Sequence, residues 1–113
     1  MTQKAFHKIF REAVDSAFSS LGDSAKQSIY FHLEKRFKIA KDEIPSRLED
    51  FDDGLEKIFG PGTRFLEILI MKKLFEKVER KGSVLKWDEN RDFEFMDYVK
   101  AAEQSFYQKK KKN

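Results

Sequence analysis

One glutamate, Glu67, sits inside the most apolar run of the chain, "FLEILIMKKLF". On a helix it falls between Leu74 and Val78, with Ile70 and Met71 one turn on. A carboxylate so placed is either paired or holds its proton well above the ordinary range. Two readings follow: an acid in a ligand site, or a structural hydrogen bond or ion pair. Tyr30, His32 and Arg36 are the partners the pattern offers, so Glu67, His32 and Arg36 form a candidate buried polar cluster. His7 and His32 are the only histidines, and neither has a histidine or carboxylate three or four residues on, so no helical metal pair is expected. "EDFDDG" invites a calcium reading, but counting from Asp50 puts Gly54 at position five and Pro61 at position twelve, where oxygen ligands belong. No catalytic group, metal or cofactor is therefore assigned.

Gly60-Pro61-Gly62 is the other motif-like place. A phosphate loop needs a strand before it and a Gly-Lys-Ser/Thr signature, whereas here a helical pattern precedes "GPGTRF". Glycine ends a helix and proline suits the first turn of the next, so the residues predict a corner. Beyond it, Lys72, Lys73, Lys77, Arg80 and Lys81 are candidate phosphate contacts, joined by the tail Lys109–Lys112. A recognition helix presents Arg, Asn or Gln outward to read bases, whereas this run is mostly lysine on a helix with much apolar surface, which favours a solvated face over nucleic-acid recognition.

The elements that would carry these residues are helical. Phe6, Phe10, Ala13, Val14, Ala17, Phe18 and Leu21 form one stripe, ended by Gly22. Asp23 or Ser24, with Gln27, caps a second helix whose stripe is Ile29, Leu33 and Phe37, leaving Phe31 on the other side. "KIAKDEIPS" reads as a connection, with Pro45 holding Ile44 extended. Ser46 and Glu49 suggest a capping box for a third helix bearing Leu48, Phe51, Leu55, Ile58 and Phe59, in which Gly54 marks a close approach of neighbouring backbone. The fourth helix, about Gly62 to Arg80, is apolar nearly all round, which predicts burial on several sides. A loop containing Trp87 follows, and Asp92 caps a last helix bearing Phe95, Met96, Val99, Ala102 and Phe106. The expected fold is all-α, a compact five-helix bundle over residues 1–107 with the fourth helix central, then a disordered basic tail, 108–113.

Composition bounds the rest. With 113 residues and no cysteine, one domain without disulfides or thiolate chemistry is expected. No apolar run reaches the length of a membrane span and no leader stands at the N-terminus, so the cytoplasm is the expected location. The net charge of +3 is spread in alternating blocks, basic over 1–41, acidic over 42–60, basic over 61–86 and acidic over 87–108, a pattern suited to segments or copies that attract each other.

"SIYFHLEKRF", "EIP", "FDDGLEKIFGPG" and "FLEILIMKKL" together resemble the small archaeal helical domain of the Nitrosopumilus-type output family. The likeness spans about Gly22 to Arg80 and is carried by Ile29, Tyr30, Leu33, Ile44, Pro45, Ile58, Phe59, Gly60, Gly62 and Glu67. It implies a regulatory or interaction role in an archaeal cytoplasm, as a stand-alone signalling module. The expected activity is therefore non-enzymatic binding, with self-association as a homodimer favoured and Tyr30, Phe31, Met71 and Phe75 as candidate interface. Nucleic-acid binding through the basic half of the fourth helix is the alternative.

Overall fold

The computed structural model describes the backbone of residues 2–80 and 94–111, and side chains over 4–79 and 94–107. The expectations for Lys81, Trp87 and Asp92, and for the side chain of Arg80, lie outside the described residues. Among the described residues, five α-helices, α1 (Thr2–Ser19), α2 (Asp23–Phe37), α3 (Leu48–Phe59), α4 (Thr63–Arg80) and α5 (Phe95–Lys111), are joined in part by two 3₁₀ segments, Lys41–Arg47 and Gly60–Gly62. No strand occurs among the described residues.

α1 and α4 pack chiefly on each other, and each buries one side and exposes another. Phe6, Phe10, Ala13, Val14, Ala17 and Phe18 are all at most 2% exposed. Ala13 and Ala17 leave room for close approach, and α1 packs chiefly on α4, then on α2, the first 3₁₀ segment and α5. Aromatic rings bridge the helices: Phe10 meets Phe95, Phe95 meets Phe51, and Phe51 meets Phe18, with centroids 6.4–6.5 Å apart. Such separations suit the tilted contacts aromatic pairs prefer.

The expectation that α4 is wrapped on all sides is corrected. Leu66, Ile70, Met71, Leu74 and Val78 are buried, yet Phe65 is 81% exposed. Ile68, Leu69 and Phe75 are only partly covered. Apolar residues lie on both sides of this helix, but among the described residues only one side is fully covered.

Several local expectations also change. Residues 41–47 form a 3₁₀ segment with Pro45 inside it, rather than an extended connection. Neither α2 nor α3 has a side-chain cap at its start. Capping falls instead to Glu43, whose carboxylate accepts the Ala40 N–H at 2.9 Å. Ser46 donates to the Glu43 carbonyl rather than serving α3. Lys38 ends α2 in the left-handed region at φ 59°, and the Arg47 guanidinium donates to its carbonyl. Gly54 faces side chains, not backbone: a Cβ there would lie 3.1 Å from Leu33 Cδ2.

Gly60-Pro61-Gly62 is the turn between α3 and α4. Gly60 adopts φ 56° and ψ −130°, a region essentially closed to other residues. Buried Thr63 then donates its hydroxyl to the Gly60 carbonyl at 2.7 Å, with the Leu55 carbonyl at 3.2 Å. The Thr63 backbone N–H donates to the same Gly60 carbonyl, so the first residue of α4 is tied to the end of α3. A Cβ at Gly60 would meet nothing within 4 Å, so the cost of adding one is backbone strain alone. Gly60→Ala is expected to lower unfolding free energy by about 1–3 kcal/mol in a urea titration. An unchanged midpoint would show that the turn relaxes without strain.

Candidate functional site

Glu67 points inward from α4 and is 8% exposed. The cluster it enters is not the one predicted. Its partners are Asp52 of α3 and Arg64, one turn earlier, whose Nη1 stands 3.8 Å from Oε1. Of the predicted partners, Arg36 lies over the Phe37 ring, 5.2 Å from its centroid. His32 sits edge-on to Phe31, with a buried Nδ1 that has no hydrogen-bond partner. Tyr30 donates to Asp15 Oδ1 at 3.0 Å. Helical spacing locates the acid but cannot show which helix faces it.

Burial pushes the Glu67 carboxyl up to about 8, with the hydrogen bond and negative charge of Asp52 adding to it and Arg64 opposing. Glu56 raises it further. Two carboxyl groups facing each other in a dry place share a proton rather than both ionise. Asp52 Oδ1 is cut off from water and no N–H reaches it. A proton held by Glu67 supplies the hydrogen bond between the two acids. Chemically, Glu67 can hold and release a proton at about pH 8.

A second polar centre gathers at Asp15. Beside Tyr30, Lys26 Nζ lies 3.5 Å from Asp15 Oδ2 and Lys41 Nζ 3.6 Å from Oδ1. Burial alone raises the Asp15 carboxyl, but the Tyr30 hydrogen bond and the two lysines outweigh it and hold it below its ordinary value. Burial, then Asp15, push the Tyr30 phenol up. The Lys41 ammonium also stands over the Tyr30 ring, 4.6 Å from its centroid. The arrangement ties α1, α2 and the first 3₁₀ segment together.

A groove of about 560 Å³ runs beside this centre, lined by Lys8, Arg11, Lys41, Glu12, Asp15 and Asp42, so its cations and anions alternate. A smaller hollow of about 240 Å³ lies between Phe6, Phe10, Leu48 and Val99. Asp52 and Glu67 line neither of them. No group of three metal-ligating side chains occurs among the described residues. No described helix is long and apolar enough to cross a membrane.

The predicted interface divides. Met71 is 1% exposed, so its own chain already covers it and it cannot contact a partner. Tyr30 is half-buried against Phe18, Asp15 and Lys41. Phe31 is 56% exposed on α2. Phe75 is partly covered and packs against the core. Phe65, which periodicity places in the interior, is the most exposed large apolar side chain of the described residues. The basic set divides too. Lys72 and Lys77 are five residues apart and so occupy different sides of α4. Lys77 lies 4.0 Å from Glu12 of α1.

The described residues thus define an all-helical bundle with an acid pair, Asp52 and Glu67, between α3 and α4, and with Phe65 exposed on the other side of α4. No protein-family model matches the chain, and no curated protein or solved structure matches it.

Proposed function

We propose that the chain is a non-catalytic interaction module that pairs with a second copy of itself through the outer side of α4. The observation that supports this reading is Phe65, 81% exposed beside the partly covered Ile68 and Leu69. Covering such a ring is worth about 1.5–3 kcal/mol, and contiguous apolar side chains at a surface mark contact sites. A regulatory role in archaeal signalling, as the family resemblance implies, belongs to the same reading. The alternating charge blocks of the chain suit attraction between copies.

Light scattering coupled to size exclusion tests it. The wild-type chain is expected to run as a dimer, and Phe65→Asp to weaken pairing at least about 30-fold, the effect of losing a central interface residue. Because Phe65 stands outside the core, thermal unfolding of the monomeric variant should stay close to that of the isolated wild-type chain. A wild-type monomer at every concentration would remove self-association.

A further inference from the structure

The groove beside Asp15 carries more charge than its own ion pairs use. Lys8, Arg11, Glu12 and Asp15 fall three, one and three residues apart, so α1 turns all four to one side. Lys41 and Asp42 line the groove from the start of the first 3₁₀ segment. Asp15 is met by Lys26, Lys41 and the Tyr30 hydroxyl, and Glu12 by Lys77. Among the described residues, no carboxylate pairs with Lys8 or Arg11 and no cation pairs with Asp42. Arg11 is half-buried, while Lys8 and Asp42 are exposed. Its planar guanidinium is therefore the group that loses least freedom when a ligand arrives.

We infer that this groove binds a small zwitterion with two negative charges at one end and an ammonium at the other. Its volume, about 560 Å³, lies in the range of small-molecule sites. Lys8 and Arg11, one turn apart on α1, offer two positive charges to the acidic end. The Arg11 fork matches a carboxylate or phosphate through two parallel hydrogen bonds. Asp42, on the 3₁₀ segment, supplies the opposite charge for the ammonium. A purely anionic ligand would leave Asp42 facing a like charge, and a purely cationic one would face Lys8 and Arg11. Asp15 and Glu12 add little to this selection, because each already has its cation. A bare divalent ion does not fit either, since the three lining carboxylates do not gather as a metal site. A doubly charged acidic end excludes a phosphodiester lipid headgroup, which carries a single negative charge. An acidic amino acid and a phosphorylated amine share the required chemistry.

Amide NMR shifts of the full chain, titrated with L-glutamate and with O-phosphoethanolamine, test it. Glutarate and inorganic phosphate are the same acids without the ammonium and serve as the paired controls. One zwitterion or both should shift the amides of Lys8, Arg11 and Asp42 saturably, and bind about tenfold tighter than its control. The tighter of the two shows whether the acidic end is a pair of carboxylates or a phosphate. Arg11→Gln should weaken that binding at least about tenfold, and Asp42→Asn should remove the advantage over the control. Both changes lie outside the core, so thermal unfolding should hardly move. Saturation by neither zwitterion up to about 30 mM would overturn the site. Controls that bind as tightly as the zwitterions would overturn the part assigned to Asp42, and the ligand class with it. Shifts spread over lysines throughout the chain, and unchanged in Arg11→Gln, would reduce the effect to general charge attraction and overturn it too. Self-association through α4 is read separately by scattering and stands or falls without this result.

Discussion

Phe51→Ala is expected to destabilise the fold by about 3–5 kcal/mol, a large share of the roughly 5–15 kcal/mol that holds a domain of this size together. The ring is 0% exposed on α3. Its centroid lies 6.5 Å from Phe18 of α1 and 6.4 Å from Phe95 of α5. Removing it opens a space where three helices meet, and each neighbour is itself buried and unable to swing in. The lost contacts therefore add to the lost transfer energy. Phe51→Leu, which keeps much of the volume, should cost markedly less. Urea unfolding followed by circular dichroism reads both. A loss below about 1 kcal/mol for the alanine variant would mean the three helices are not joined through this ring.

The second large effect concerns acidity. Glu67 titrates near 4.5 when unfolded and near 8 in the folded chain. Between those values the unfolded chain has given up the proton and the folded chain keeps it, so the folded state binds more protons and stability falls as pH rises. The fall begins near pH 4.5 and levels off above about 8. Every tenfold gain in proton affinity on folding corresponds to about 1.4 kcal/mol, and the folded value already contains the pull of Arg64, so a loss of a few kcal/mol, at most about 5, is expected across the window. Glu67→Gln stays neutral and can still donate to Asp52. Its stability should match wild type near pH 4.5 and exceed it by that amount at about pH 8.5, just above the folded-state value. The other carboxylates titrate in both proteins, so the difference isolates Glu67. Parallel stability curves for the two proteins would show that the acid pair does not share a proton.

Much of the bundle can be read from periodicity because most helices have one apolar side. The stripe Phe6, Phe10, Ala13, Val14, Ala17 and Phe18 is buried as its spacing indicates. So are Ile29 and Leu33, Phe51 and Leu55, and Phe95, Val99, Ala102 and Phe106. Leu21 continues the first stripe by count but is 45% exposed, because α1 stops at Ser19 and the direction of the chain changes. In α4 the signal fails for a physical reason. Its outer side carries Phe65, Ile68 and Leu69, so hydrophobicity alone cannot say which side faces the core: Phe65, expected inside, is exposed, and Met71, expected at an interface, is buried. The position of Glu67 is legible from its own helix. Its pairing with Asp52 is not, since that depends on how α3 lies against α4. Glu43 capping Ala40 is a short-range signal present in the sequence and obscured by the proline two residues later.

The turn at Gly60 has a mechanical meaning. Thr63 reaches back to the Gly60 and Leu55 carbonyls, so the first residue of one helix is fastened to the last turn of the other. The two rods are consequently an elbow with a locked angle: neither can fray at that end without loosening the other. Asp52 and Glu67, one on each arm, are held opposite each other by that lock, and Phe65, on the far side of the second arm, is aimed by it.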